Sequence, residues 1–400
     1  MPPLDGAITG IRAGSPAFRR VSLALFAAGF ATFSLLYHVQ PLLPLLADTF
    51  RVAPAEAALA LSLATGFLSV AMLLAGALAD VYGRRPVMVA SLTLSALLTL
   101  ATAIVPSWHG LLAARALLGI TLAGLPAVAM AYLGEEMDPG ALDPAMGLYI
   151  AGSALGGMAG RLVMGVVVDF LPWQVATAGI GAAGLLAALA VWRYLPPSAG
   201  FTRRPARPRA MLSALLVPLG QGRLRLLFLQ GFLLMGAFVT IYNYIGFRLL
   251  APPFDLPQSL IGLIFAAYLL GMGSSAWVGR LVARHGRGPV MAAGVLIMAA
   301  GVALTATSLL PLVVAGIGLL TFGFFGAHSI ASGWVGALAP VTGKAQASSL
   351  YLFSYYMGSS LVGAGGGVIW AAMGWTGLAL VVGGLLCLSL LLIRILSRAG

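Results

Sequence analysis

The sequence predicts an all-α membrane protein in which twelve transmembrane helices form two pseudo-symmetric six-helix bundles. Three observations predict it. Of 400 residues, 60% are hydrophobic and only 8% are charged, with a mean hydropathy of +1.02. A soluble domain carries roughly 25% charged residues, so this chain could not cover its own surface in water. At about 25 residues per pass, twelve passes use roughly 300 residues and leave about 100 for loops and tails, with no room for a soluble catalytic domain. Finally, the chain repeats itself at a near-constant spacing, which makes the twelve passes two copies of six.

Polar and Gly/Pro breaks set the elements in order. Arg19-Arg20 precedes an apolar run from Val21 to about Leu46. That run is too long for a secretory signal and reads as an uncleaved first span. Further spans are expected at roughly 55–78, 87–105, 109–133, 144–168 and 174–195, completing a first bundle over residues 1–195. Pro196 to Gly222 is rich in Pro and Arg and reads as a cytoplasmic linker. The second bundle, 223–400, holds spans at roughly 225–250, 258–279, 289–310, 312–338, 345–371 and 375–396. Gly83-Arg84-Arg85-Pro86-Val87-Met88 returns as Gly286-Arg287-Gly288-Pro289-Val290-Met291, an offset of 203. Gly29-Phe30, Ala145, Leu148, Tyr149, Gly156 and Trp173 return at an offset of 202 as Gly231-Phe232, Ala347, Leu350, Tyr351, Gly358 and Trp375. Parallel repeats of this kind place a cavity between the bundles near the midplane.

The formal net charge of +12 would suggest nucleic acid in a soluble protein, but here it sorts by loop. With a cytoplasmic N-terminus, eighteen of the 22 Lys and Arg residues fall on the cytoplasmic side, including Arg203, Arg204 and Arg207 in the linker. Arg51 and Arg248 are external, and Arg115 and Arg161 fall inside spans. This asymmetry places both termini in the cytoplasm and excludes nucleic acid as the partner. Cys387 is the single cysteine, so neither a disulfide nor a thiolate metal site is expected. No H-E-x-x-H and no pair of membrane aspartates occurs, so neither a metal nor an intramembrane enzyme is expected.

Gly76-Ala-Leu-Ala-Asp80-Val-Tyr-Gly83-Arg84-Arg85-Pro86 resembles the signature loop between spans two and three of the major facilitator superfamily. Arg115-Ala-Leu-Leu-Gly119 is similar to that family's R-x-x-x-G motif in span four. Gly152-Ser-Ala-Leu-Gly156-Gly157-Met-Ala-Gly160-Arg161 is similar to the glycine-rich motif of its drug/proton antiporters, with Gly157 in place of proline and Arg161 in place of the last glycine. The departures resemble the bacterial sugar-efflux and drug-efflux branch. The resemblance implies the major facilitator fold, proton-driven transport without any cofactor, a small-molecule substrate, and a monomer in a bacterial-type inner membrane. It also implies that Asp80, with Gly83, Arg84 and Arg85, latches the halves together by meeting the start of span eleven near Lys344. Ala283 stands where a second copy of Asp80 would fall, as a single latch between halves would allow.

A charge within a span is costly unless it faces a cavity or a partner. Arg115, Tyr37 and Gln40 all lie in the outer half and can converge on substrate; equally, Arg115 can serve carbonyls freed by Pro41 and Pro44. Arg161 has no evident intramembrane acid, since all ten acids sit in loops or at span ends unless Asp48 or Asp169 folds inward. Two buried cations without a buried carboxylate make an electropositive cavity, suited to an anionic or strongly accepting substrate. Tyr242, Asn243, Tyr268, His328, Tyr351, Ser354 and Tyr355 offer the second half's share of a mostly apolar pocket with a few orienting groups. For proton coupling the candidates are His38, His328, Glu135 and Glu136, histidine because its ordinary pKa is ~6.5. Gly152, Gly156 and Gly160 form a helix-packing stripe. The expected function is proton-coupled export of a small organic molecule, a drug, sugar-like compound or metabolite. The alternative is proton-coupled import of an organic anion clamped by Arg115 and Arg161.

Overall fold

The computed structural model describes residues 10–198, 208–340 and 343–398, and Asp5, Arg203, Arg204 and Arg207 lie outside them. Six spans make the first half: Pro16–Phe50, Pro54–Tyr82, Arg84–Ile104, Trp108–Glu136, Pro139–Val167 and Trp173–Tyr194. The second half holds Gly222–Leu250, Gln258–His285, Arg287–Thr305, Leu310–Leu338 and the helical stretch Lys344–Arg398. That last stretch is two spans. Gly374, at φ 60° and ψ −156°, is non-helical and breaks it into 344–373 and 375–398. The spans are numbered 1 to 12 below.

Local chemistry starts and breaks the helices where a bilayer fold needs it. Ser15 caps span 1 by accepting from the Phe18 N–H at 3.1 Å, with Pro16 at the first helical position. Glu56 reaches back to the Ala53 N–H at 2.9 Å to start span 2. Span 1 is interrupted after Tyr37 by a 3-10 turn at Gln40–Leu42, because Pro41 and Pro44 cannot donate into an α-helix. Pro126 similarly restarts span 4 after a break at 123–125, and span 8 passes through a 3-10 turn at Ile264–Ala267. Gly83 and Gly286 turn the chain between spans 2 and 3 and between spans 8 and 9 with φ of 93° and 82°, a region glycine enters freely. Within the linker, Pro208–Leu219 is a helix. Its apolar run Ala210-Met-Leu-Ser-Ala-Leu-Leu-Val217 supports helix once Arg and Pro are left behind.

The repeat is visible in atomic contacts. A Cβ at Gly156 would collide with the Phe30 carbonyl oxygen, and one at Gly358 would collide with that of Phe232. Both pairs are related by the 202-residue offset, so spans 1 and 5 and spans 7 and 11 meet by the same backbone approach. Gly152 and Gly160 extend the first contact, where a Cβ would meet the Phe26 oxygen and lie 2.8 Å from the Ser34 Cα. Ser34 Oγ donates to the Gly156 carbonyl at 2.8 Å, adding a hydrogen bond that such proximity allows.

The halves meet toward the end opposite the Gly83 and Gly286 turns. Hydrogen bonds cross between them from Ser360 Oγ to the Ser62 carbonyl at 2.7 Å and from the Ser259 N–H to Asp169 Oδ2 at 2.9 Å. Gln258 donates to the Pro41 carbonyl in the same region. Gly165 packs on Gly262, and Gly367 on Ala55, so spans 5 and 8 and spans 2 and 11 approach closely at this end.

Candidate functional site

Two arginines are buried in the first half, Arg115 at 0% and Arg161 at 2% exposure. Arg115 on span 4 donates from Nε to the Ala60 carbonyl at 2.8 Å and from its terminal nitrogens to those of Leu35 at 3.1 Å and Leu36 at 2.5 Å. Leu35 and Leu36 stand in the last turn before span 1 breaks, where carbonyls lose their helical donors. Of the two roles open to Arg115, the geometry is that of carbonyl repair. His38 belongs to the same break: its Nδ1 lies 3.0 Å from the Leu35 carbonyl and 3.3 Å from that of Ser34.

Arg161 on span 5 is placed differently. Its Nε donates to Gln40 Oε1 at 2.6 Å and one terminal nitrogen to the Gly157 carbonyl at 2.6 Å. Three rings surround the guanidinium, Tyr37 at 3.8 Å, Tyr268 at 4.8 Å and Phe265 at 5.6 Å from its carbon to the ring centres. Tyr37 is from the first half and the other two are from the second, so the cation sits at the seam. Gln40 extends the seam, its Nε2 donating to Asn243 Oδ1 on span 7 at 2.8 Å. Among the described residues the ion pairs are Arg12–Asp138, Arg84–Asp80 and Arg84–Glu135, so no carboxylate neutralises Arg161. Asp48 and Asp169 are exposed at the far end, and Asp169 holds the Ser259 N–H. A ring face offsets part of a buried cation's desolvation, about 2 kcal/mol or more when dry, which is less than burial costs.

From Arg161 a track of rings runs along the second half. Tyr242 contacts Phe265 at 5.3 Å and Phe238 at 4.8 Å, and its hydroxyl meets Thr321 Oγ1 at 2.7 Å. Phe238 stacks on Phe324 at 3.9 Å, and Phe324 lies parallel to the His328 ring at 5.8 Å. His328 contacts Tyr355 at 4.6 Å, and its Nδ1 is 2.9 Å from the Tyr351 hydroxyl. His328 and Tyr355 are only half-buried, on the side of the track nearer the Gly83 end. Among the residues expected at the site, Tyr37, Gln40, Arg161 and Asn243 meet directly, while Tyr242, His328 and Tyr355 join through rings. Ser354 is half-buried on the same helix. Sequence reasoning missed Phe238, Phe265, Phe324 and Ser62. Phe238-x-x-x-Tyr242 and Phe324-x-x-x-His328, at helical spacing, carried a signal of shared faces.

At the Gly83 end, Arg84 Nη1 pairs with Asp80 at 3.0 Å and its Nη2 with Glu135 at 2.8 Å. Asp80 thus rests on its own half, with no ion pair to Lys344 among the described residues. Arg85 does not join this cluster, because it donates to the Trp192 carbonyl on span 6. Glu136 is buried to 9% exposure, and its carbonyl takes the Ile11 N–H at 2.8 Å.

Two six-helix bundles joined around a buried polar seam define a multi-pass membrane transporter. Residues 21–252 match the family model of the Major Facilitator Superfamily, and the chain belongs to that family. It is 47% identical to the inner membrane transport protein YnfM of Escherichia coli (strain K12), over 95% of this chain and 91% of that one. It is 44% identical to YybF, an MFS-type transporter of Bacillus subtilis (strain 168), over 98% of this chain and 97% of the relative. A crystal structure of a mutant of the nucleoside transporter NupG shares the fold with a TM-score of 0.80 at 15% identity, covering 94% of this chain and 99% of that one.

Proposed function

We propose that this transporter exports a small organic molecule with an anionic or acceptor-rich end and an apolar, ring-compatible body, by proton-coupled alternating access. Arg161 receives the acceptor end, Gln40 and Asn243 orient it, and the rings from Tyr268 to Tyr355 hold the body. The observation that carries this reading is a buried guanidinium at the seam, ringed by side chains of both halves and lacking a carboxylate partner. A substrate that accepts from Arg161 would supply that missing partner and draw the halves together, coupling binding to the movement between them. Proton coupling falls to His328, the half-buried titratable group on the track, whose Tyr351 partner can pass or hold a proton.

The charge asymmetry supports a cytoplasmic basic end. With the halves joined at the opposite end and Asp80 resting on Arg84, the conformation then corresponds to a site closed from outside. Asp80 would reach span 11 in the alternate state.

The test is transport by the full chain in proteoliposomes under proton gradients of either sign, against aromatic carboxylates, neutral aromatic compounds and aromatic amines. The reading expects carboxylates to compete best and an outward-directed flux driven by counterflowing protons. Preference for amines would overturn the assignment to Arg161. Import of an organic anion is the second reading, favoured by the same unpaired cation, and uptake driven by inward protons would select it.

A further inference from the structure

A second arginine-lined site lies away from the seam, at the basic end of the first half. Span 1 begins, span 3 begins and span 6 ends here, and together they enclose a recess of about 330 Å³ lined by Arg20, Arg85, Arg193, Val21, Tyr194 and Pro196, among others. The Tyr132 hydroxyl donates to the Pro196 carbonyl at 3.0 Å and holds that wall against span 4.

The three arginines keep donors that no carboxylate of the described residues takes up. Arg20 donates from Nε to the Pro16 carbonyl of its own first turn at 3.3 Å, and its terminal nitrogens have no hydrogen-bond partner among the described residues. Arg193 is exposed, its guanidinium carbon 5.6 Å from the Tyr194 ring centre. Arg85 gives one terminal nitrogen to the Trp192 carbonyl, yet its Nε is buried with no hydrogen-bond partner. Among the described residues none of the three has a carboxylate within ion-pair distance. A buried guanidinium N–H without an acceptor is costly, and three guanidinium groups around one recess offer planar donor forks of the geometry that phosphate oxygens accept.

Its level in the bilayer narrows the source of that phosphate. All three arginines sit within a turn or so of a span end. Trp192 and Tyr194 flank the recess with 55% and 50% exposure, and Tyr82 at the end of span 2 is 63% exposed. Exposed Trp and Tyr at span ends mark the interfacial layer where headgroups lie. Basic pockets between span ends at this level suit phosphate-bearing headgroups. We propose that the Arg20, Arg85 and Arg193 recess binds phosphate, presented by the headgroup of an anionic phospholipid packed against the first half.

Native mass spectrometry of the full chain, purified in detergent, can test this with phosphatidylglycerol, phosphatidylcholine and inorganic phosphate as separate probes. The expected result is retention of phosphatidylglycerol in preference to phosphatidylcholine, with affinity falling at least about tenfold in an Arg20→Gln/Arg193→Gln double variant. The Arg20→Lys/Arg193→Lys variant keeps the charge but not the planar fork and should recover part of the binding, which also controls for folding. Inorganic phosphate that binds with the same dependence on Arg20 and Arg193 would support the phosphate site and assign it a soluble source. Equal retention of phosphatidylglycerol by wild type and the glutamine variant, or no preference over phosphatidylcholine together with no phosphate binding, would overturn the proposal.

Discussion

Arg115 and Arg161 carry the same charge, are buried to the same depth and stand on neighbouring spans of one half, yet their surroundings assign them opposite work. Arg115 gives each guanidinium nitrogen to a backbone carbonyl, two of them beside the break that Pro41 and Pro44 impose on span 1. Arg161 gives its Nε to a side chain, Gln40, that itself bridges to the other half, and it presents its faces to rings from both halves. A cation held by carbonyls of its own half is part of the scaffold. A cation held at a seam by groups that separate when the halves move is available to a ligand. Burial alone does not distinguish a structural charge from a functional one; the identity and mobility of its partners does.

The largest expected effect tests the scaffold side of that contrast. Arg115→Ala removes three hydrogen bonds from a charged donor, about 1.5–3 kcal/mol each, a sum comparable to much of the roughly 5–15 kcal/mol that holds a typical domain folded. Its yield of monodisperse protein in detergent should collapse, whereas Arg161→Ala should retain it, because Gln40 can turn to other partners. Size-exclusion chromatography of the two variants side by side provides the measurement. Wild-type yield for Arg115→Ala combined with lost substrate binding would erase the distinction.

Arg161→Gln tests the functional side. It preserves a donor next to Gln40 but removes the charge, so folded protein should persist while transport falls by about 100-fold or more, a loss of about 2.7 kcal/mol or greater. Arg161→Lys should recover only part, since an ammonium cannot both donate to Gln40 and lie flat against Tyr37. A carboxylate substrate transported normally by Arg161→Gln would show that its negative end binds elsewhere.

A smaller effect sharpens the role of the missing counter-ion. Asn243→Asp would introduce a carboxylate one hydrogen bond from Gln40, whose amide lies 2.6 Å from Arg161. That internal acid should compete with an anionic substrate and raise its KM about tenfold, with little change for neutral compounds of similar shape. Concentration dependence of uptake for matched acid and amide substrates reads this directly. Equal shifts for both would point to packing at the seam and not to charge.

The outline of the fold was legible because it follows from quantities that a linear sequence contains: span length, a 202-residue echo and the paired turns at Gly83 and Gly286. Half of the site was legible for the same reason. A charge inside an apolar run is conspicuous, so Arg161 stands out without any geometry, whereas Gln40 was grouped with Arg115 and only the structure sets it against Arg161. What the sequence could not divide was Arg115 from Arg161, since both are cations in apolar helices and their partners are remote in the chain or lie in the backbone. The ring track was hidden for the opposite reason. Phe238, Phe265 and Phe324 look like ordinary lipid-facing or core residues until spans 7, 8 and 10 are brought together.

The smallest effect concerns the end of the molecule where the halves are not bonded through Asp80. Asp80 is 45% exposed at the side chain and pairs with Arg84, which also holds Glu135, so removing its charge in this conformation should cost little. If Asp80 instead contributes a latch to span 11 in the alternate state, that state loses the worth of one partly exposed ion pair, up to about 1 kcal/mol. Such a loss shifts the balance between conformations about fivefold and should slow turnover by about two- to fivefold without lowering expression. Asp80→Asn in proteoliposomes, normalised to the amount of folded protein, measures it. Turnover unchanged within error would confine Asp80 to anchoring Arg84. A slowed rate with unchanged KM would set this end apart from the seam, as a device that times the movement without contacting what is moved.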